Sequence, residues 1–374
     1  MPNRRLLLVT RNFPPLVGGM ERLMLQAVRG LRAGHEVELV GPAGCEGVLP
    51  DIQASGIDTR PVWRFLWRSL WRALRRARRN RPDWVVAGSG LTAPAAVIAA
   101  SLSGSKSLVF VHGLDLVVDS RLYRWLFLPF VRRADRVIAN SRNTARLAER
   151  AGVSAARVRV LHPGVDVGDE APPSDKPRDA SRPLCLFVGR MIERKGLSNL
   201  IDQALPQVIQ AVPDMQLLVV GDEAPDALEA GDSEPGQCRA AVERHALQQQ
   251  VRFVGRVSDE QLHSYYQQAR ALLFPIRDLA HDVEGFGMVA LEAAAHGVPT
   301  LAFRAGGVAD ALADGISGQL LPPGDYQGYA QALIALLQGE RKFSAKACRE
   351  FAAGFAWPLF DARLQKILDE PSDT

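Results

Sequence analysis

The stretch Leu6–Val37, LLLVTRNFPPLVGGMERLMLQAVRGLRAGHEV, decides how the chain is read. An aliphatic run of strand length ends at a Pro- and Gly-bearing break, a helical pattern follows to Gly34, and EVELVG opens a second strand. That is one strand–helix–strand unit. The alternation recurs: DWVVAG, SLVFVH and RVIA complete the first half, and LCLFVG, QLLVVG, VRFVG, ALLFP and PTLAF supply the second. Parallel sheets covered by helices on both faces carry this signature. Between the halves lies GDEAPPSDKPRDASRP, Gly168–Pro183, rich in Pro, Asp and Ser and without apolar periodicity, which reads as a linker. The 374 residues thus divide into a first domain over 1–168, a linker over 169–182, a second domain over 183–355 and a closing amphipathic helix over 356–374. Two doubly wound α/β domains place ligands at the carboxyl ends of their strands, in the cleft between halves.

Composition excludes several classes of function. Apolar runs such as LTAPAAVIAA fall far short of the roughly 20 residues needed to cross a bilayer, and MPNRRLLLVT has no cleavable secretory pattern. The expectation is a cytoplasmic protein, free to lie against the inner face of the plasma membrane. Cys45, Cys185, Cys238 and Cys348 are scattered without metal-ligand spacing and read as reduced thiols, so neither redox chemistry nor a bound metal is expected. The net charge of +4 hides an asymmetry. Residues 1–168 carry 26 Lys and Arg against 12 Asp and Glu, a net +14, and the remainder carries 19 against 29, a net −10. The first half is built to face something anionic.

Glu284–Pro299, EGFGMVALEAAAHGVP, sets two acids eight residues apart. Gly285 and Gly287 interrupt helix formation and MVALEAAA favours it, so a helix beginning near Met288 and stopping at Gly297 is expected. Its first free N–H groups suit a phosphate or a polar sugar ring, and Glu292 falls one turn beyond Met288, on roughly the same side. The plainer reading has Glu292 mark the solvent face of an amphipathic helix. In LFVGRMIERKG, Leu186–Gly196, a strand ends at Gly189, Arg190 follows at its tip and Lys195 lies five residues on. Two cations there suit a diphosphate: an arginine forks onto two oxygens and a lysine adds a compact charge. Two solvated surface cations fit the spacing equally. Gly18 and Gly19 either let backbone approach a ligand ahead of a helix or simply permit the turn. His112 ends the strand SLVFVH, facing the cleft or serving as a satisfied structural histidine, with Asp115 placed to orient it or to bind an acceptor.

Taken in order, RNFPPLVGGMERL, HGLD from His112, HPGVD from His162, VGRMIERKG from Val188, EGFGMVALEA and RAGGVADALADGISGQLLPPGD from Arg304 resemble retaining glycosyltransferase family 4 over nearly the whole chain. That resemblance implies the GT-B fold, two Rossmann-like domains with a final helix returning to the first. It implies a hexose moved, with retention and without a metal or other cofactor, from a nucleotide-diphosphate sugar to a hydroxyl of a lipid-linked or glycan acceptor in cell-envelope polysaccharide or glycolipid synthesis. The opening FPPLVGG and the HPGVD segment look most like those of mannosyltransferases that use GDP-mannose, including ones that act on lipid acceptors. By resemblance, Arg190 and Lys195 stabilise the departing nucleotide diphosphate, with Gly189 beside them. Glu284 holds hydroxyls of the transferred sugar, Glu292 the ribose, His112 the donor sugar, and Phe286, Gly287 and Met288 offer backbone N–H groups. Pro163 stands where many relatives carry Asn and Asp310 where Glu is common, which bears on substrate identity and not on fold. UDP-sugar transferases of the family, nucleotide-sugar epimerases and non-catalytic binding subunits share the architecture.

From Arg60 to Arg81, RPVWRFLWRSLWRALRRARRNR holds nine arginines and no acid. Trp63, Leu66, Trp67, Leu70, Trp71 and Leu74 share a helix face, with Arg64, Arg68, Arg72, Arg75, Arg76 and Arg79 largely elsewhere. Either the helix lies in the interface of an anionic membrane, or its aromatic stripe packs against the sheet. RLYRWLFLPFVRR, Arg121–Arg133, repeats the composition and favours the membrane. Nucleic acid ranks below both, because no recognised nucleic-acid motif accompanies the arginines.

Overall fold

The computed structural model describes residues 3–168, 182–221 and 233–371. Of the expected linker over 169–182, all but Arg182 lies outside the described residues. Two compact units emerge. The first holds Met1–Gly164, Ala280–Phe286 and Trp357–Thr374, and the second holds Val165–Leu279 and Gly287–Ala356.

In the first unit seven strands form one sheet: β1 (Arg5–Val9), β2 (Glu36–Pro42), β3 (Gln53–Ile57), β4 (Trp84–Ala87), β5 (Lys106–Val111), β6 (Arg136–Ala139) and β7 (Val158–Val160). Their order is β3-β2-β1-β4-β5-β6-β7, and every pairing is parallel, as in Leu6 opposite Val37 and Trp84. Leu6 to Val9 are all buried, as a strand covered on both faces must be. Helices α1 (Gly19–Arg32), α2 (Val62–Asn80) and α3 (Ala93–Ser103) connect successive strands. Strands β3 and β7 escape the sequence pattern. QASGI lacks the β-branched and aromatic residues that mark a strand, and it is recruited at the sheet edge by pairing with β2.

The second unit repeats the plan with β8 (Leu184–Val188), β9 (Gln216–Val220), β10 (Val251–Gly255), β11 (Ala271–Phe274), β12 (Thr300–Phe303) and β13 (Gly318–Leu321), ordered β10-β9-β8-β11-β12-β13. All pairings are again parallel. The chain is therefore a pair of Rossmann-like α/β units. Each has its own core: Leu7, Val9, Phe65 and Val109 among others in the first, Phe187, Leu217, Leu273 and Tyr329 in the second.

The closing helix, Trp357–Asp369, belongs to the first unit, where it packs on α1. A Cβ on Gly30 would stand 2.2 Å from Asp361 Oδ1, so glycine is what lets the two helices approach. Gln26 Nε2 donates to Asp361 Oδ2 at 3.1 Å; burial pushes the Asp361 carboxyl up and this bond offsets only part of the rise. At the far end Arg136, buried at the start of β6, donates to the carbonyls of Ile367, Glu370 and Pro371 and to Glu370 Oε2 at 2.6–2.8 Å. Burial pushes the Glu370 carboxyl up, but Arg159 and Arg136 outweigh it and hold it below the usual carboxylate range.

Candidate active site

In the second unit the carboxyl tips of β8 and β11 carry the residues expected to hold a diphosphate. Gly189 follows β8 with φ 151°, and its carbonyl lies 2.0 Å from where a Cβ on Gly221 would sit, so the two backbones are in close contact. Lys195 turns back over this strand end. Its Cε is 3.6 Å from the Cβ position of Gly189, and its Nζ lies 4.9 Å above the buried ring of Phe274. The helix Met288–Ala295 begins beside the same ring: its N-cap is Gly287, at φ 103°, where a Cβ would stand 2.9 Å from Phe274 Cε1. A lysine ammonium and a set of free helix N–H groups thus gather around one aromatic side chain, an arrangement that attracts an anion. Arg190 is exposed at the strand tip.

Glu292 is half-buried on that helix, and Tyr266 donates its hydroxyl to Glu292 Oε2 at 3.4 Å. Ala290, Leu291, Ala293 and Ala294 take the fully buried positions. The carboxylate therefore stands on the remaining arc, braced and partly open to solvent. His296 stacks on Tyr266 at 4.8 Å and completes the support.

In the first unit the strand tips carry buried polar atoms that find no partner among the described residues. His112 is 7 % exposed; its Nε2 donates to Gly88 O at 2.8 Å, because a carbonyl can only accept. That bond assigns the tautomer and leaves Nδ1 a buried acceptor with no partner among the described residues. Arg11 Nε, Ser89 Oγ, Tyr123 OH and Asn140 Oδ1 are likewise buried without a partner. Arg11, Ser89, His112 and Asn140 directly follow or lie two beyond the ends of β1, β4, β5 and β6, and the Tyr123 hydroxyl sits 2.5 Å from the Cβ position of Gly90. Orphaned buried polar atoms cost about 1–3 kcal/mol each, so their concentration at one edge marks a place for a polar ligand.

The segment bearing Glu284 closes on this edge. A Cβ on Gly285 would meet His112 O at 2.2 Å and Asn140 Nδ2 at 2.7 Å, and Thr144 Oγ1 donates to Gly285 O at 3.4 Å. Phe286 is buried and stacks on His162 at 5.5 Å. Glu284 and His112 are thereby brought together within one unit, although 172 positions apart in the chain. Asp115 does something other than orient the imidazole: its Oδ2 accepts from the backbone N–H of His112 at 3.2 Å, so it fixes the main chain. Gly18 is the N-cap of α1 and Gly19 its first residue, both exposed, and Glu21 in the first turn accepts from Asn12 Nδ2 at 3.0 Å. Asn140, Ser89, Tyr123, Phe274 and Tyr266 were not singled out from sequence. Position just beyond a strand could have flagged Ser89 and Asn140; nothing local marks Phe274 or Tyr266.

Family comparisons bear on both units. The family described as Glycosyltransferase Family 4 matches residues 17–169, and Glycosyl transferases group 1 matches residues 182–339. A GDP-mannose-dependent alpha-(1-6)-phosphatidylinositol monomannoside mannosyltransferase from Mycolicibacterium smegmatis is 30 % identical, over 97 % of this chain and 98 % of its own. The chain belongs to this glycosyltransferase family. The phosphatidyl-myo-inositol mannosyltransferase of the same organism is 28 % identical over 95 % of this chain and 91 % of its own. Among solved structures, Anabaena HepE in complex with UDP and glucose superposes with a TM-score of 0.79 over 98 % of this chain and 99 % of that one, at 21 % identity, which establishes the GT-B fold of the glycosyltransferase.

Proposed function

We propose that this glycosyltransferase moves a mannose from GDP-mannose, with retained configuration and without a metal, to a hydroxyl of a lipid-linked acceptor. The observation that carries the sugar site is the unpartnered Nδ1 of His112, an acceptor held ready for a hydroxyl beside the backbone of Glu284 and Gly285. Support for a mannosyl donor and a lipid acceptor comes from the two mycobacterial mannosyltransferases, similar over nearly the full chain length, of which the first is GDP-mannose-dependent.

In this reading Arg190, Lys195 and the N–H groups at Gly287 and Met288 receive the diphosphate, Glu292 takes the ribose hydroxyls, and Glu284 and His112 fix the transferred ring. The bond from the anomeric carbon to the diphosphate oxygen breaks as the acceptor oxygen attacks from the same face. The acceptor proton passes to the leaving phosphate oxygen, whose charge the cations and helix N–H groups stabilise. Thermal unfolding with GDP, UDP, ADP and TDP at matched concentration tests the donor: a ligand at 100 times its Kd adds about 2.7 kcal/mol of stability. Selective stabilisation by GDP is the expected result. Selectivity for UDP overturns the donor and keeps the transferase; a β-configured product from α-linked donor overturns retention.

A further inference from the structure

The face of α2 is neither core nor ordinary solvent surface. Its buried positions are Phe65, Ser69, Ala73 and Ala77, with Leu66, Leu70 and Leu74 half-buried against the same core. Of the two arrangements open to this helix, the tryptophans do not pack against the sheet: Trp63, Trp67 and Trp71 are 64 %, 69 % and 54 % exposed. From Trp63 to the end of the helix the other exposed residues are Arg64, Arg68, Arg75, Arg78 and Arg79, and nothing else. Set four residues apart, the tryptophans drift only about 80° around the axis, with arginines filling the arc beside them. Arg64 lies over the Trp63 ring at 5.1 Å and Arg75 over Trp71 at 5.5 Å.

We infer that α2 docks the protein on an anionic lipid bilayer, with Trp63, Trp67 and Trp71 at the acyl boundary and the arginines among headgroup phosphates. Indole rings favour that boundary, having an apolar body and a polar N–H, and long arginine stems reach past them to charge. An open groove of about 560 Å³ beside Trp71 gives the docking a specific seat. Arg5, Arg75 and Arg79 line it with Glu36 and Glu38. Glu38 is spent on Arg76, which it meets at 2.9 Å, and Arg72 is spent on Gly56 O at 2.6 Å, which removes it from the membrane-facing set expected from sequence. Arg75 and Arg79, one helical turn apart, have no carboxylate partner among the described residues and leave the groove net positive toward headgroup phosphates. The unit supplies further apolar surface in Leu122, Leu126 and Trp125, the last 75 % exposed. A nucleic acid would satisfy the arginines but not these aliphatic and indole surfaces. The helix starts just past the carboxyl end of β3, and the groove lies at the other edge, where Arg5 and Glu36 open β1 and β2. The inference holds whichever donor the enzyme uses.

Flotation of the purified full chain with phosphatidylcholine vesicles, with and without phosphatidylglycerol, tests it. Binding only to the anionic vesicles is expected, surviving added inorganic phosphate. Trp63→Ser/Trp67→Ser/Trp71→Ser should abolish it, and Arg75→Gln/Arg79→Gln should weaken it about 25-fold, at about fivefold per arginine near an anionic surface. All these side chains are exposed, and an unchanged melting temperature verifies that each variant folds. Equal binding to neutral vesicles, variants that bind like the parent, release by inorganic phosphate, or preference for duplex DNA over anionic vesicles would each overturn the docking. Nucleoside diphosphate binding, measured in the same samples, reports separately on the transferase site.

Discussion

Gly285→Ala is the sharpest test of the way the Glu284 segment is seated. The Cβ it adds would stand 2.2 Å from His112 O and 2.7 Å from Asn140 Nδ2, whereas real Cβ contacts do not fall below 3.0 Å, so the segment must lift by at least about 0.8 Å. One of the two obstacles is backbone at the end of a central strand and cannot rotate away. A displacement near 1 Å at reacting groups costs on the order of 10²-fold in rate. The cost to stability is smaller, about 1 kcal/mol, because the segment can yield outward, and this lowers the melting temperature by roughly 2–4 °C. Steady-state transfer and thermal unfolding on the same preparation separate the two. Gly34→Ala is the control: a Cβ there meets nothing within 4 Å, and the variant should match the parent in both assays. A Gly285→Ala enzyme with the parental rate would show that the seating of the Glu284 segment against His112 O has no bearing on catalysis.

Glu292→Gln should weaken nucleoside diphosphate binding by about 10- to 100-fold, the loss of charge-assisted hydrogen bonds, whereas Tyr266→Phe, which removes only the bracing hydroxyl, should cost far less; calorimetric titration of both variants checks the order. Because the Glu370 carboxyl is held below its usual range, its contribution to stability is present at neutral pH and lost as pH falls through the lowered value. Glu370→Gln should therefore destabilise at pH 7 by about 1–3 kcal/mol, with the gap from the parent closing below about pH 4 in pH-dependent unfolding. All four cysteines are buried free thiols, and burial pushes Cys45 up to about 11 and Cys185 up to about 12. Ellman's reagent at pH 8 should leave the native protein unlabelled and label four thiols in guanidinium; rapid native labelling would contradict their burial.

Much of the architecture was legible because periodicity is local. RLLLVT, SLVFVH and LCLFVG each spell a strand buried on both faces, and ten of the thirteen strands among the described residues announce themselves in this way. The three that do not, QASGI, VRV and GQLL, are short or poor in strand-forming residues and exist only because a neighbour offers them a ladder to complete. The helix from Met288 and its glycine cap were also readable, since Gly285 and Gly287 act on their own backbone.

What the sequence by itself determined was this alternation, the ordered motifs and the concentration of positive charge in the first half. The tertiary structure alone decided which residues meet and which surfaces stay bare. Gly285 against His112, and Lys195 with Gly287 around Phe274, depend on loops of separate strands arriving at one sheet edge, a relation that no periodicity encodes. The same holds for α2. A stripe of tryptophans reads as core or as interface according to whether a partner lies over it, and here Phe65 and the small residues Ser69, Ala73 and Ala77 turn inward while the three indole rings are left outside. Burial is a property of the surface that a side chain finds, and the sequence names only the side chain.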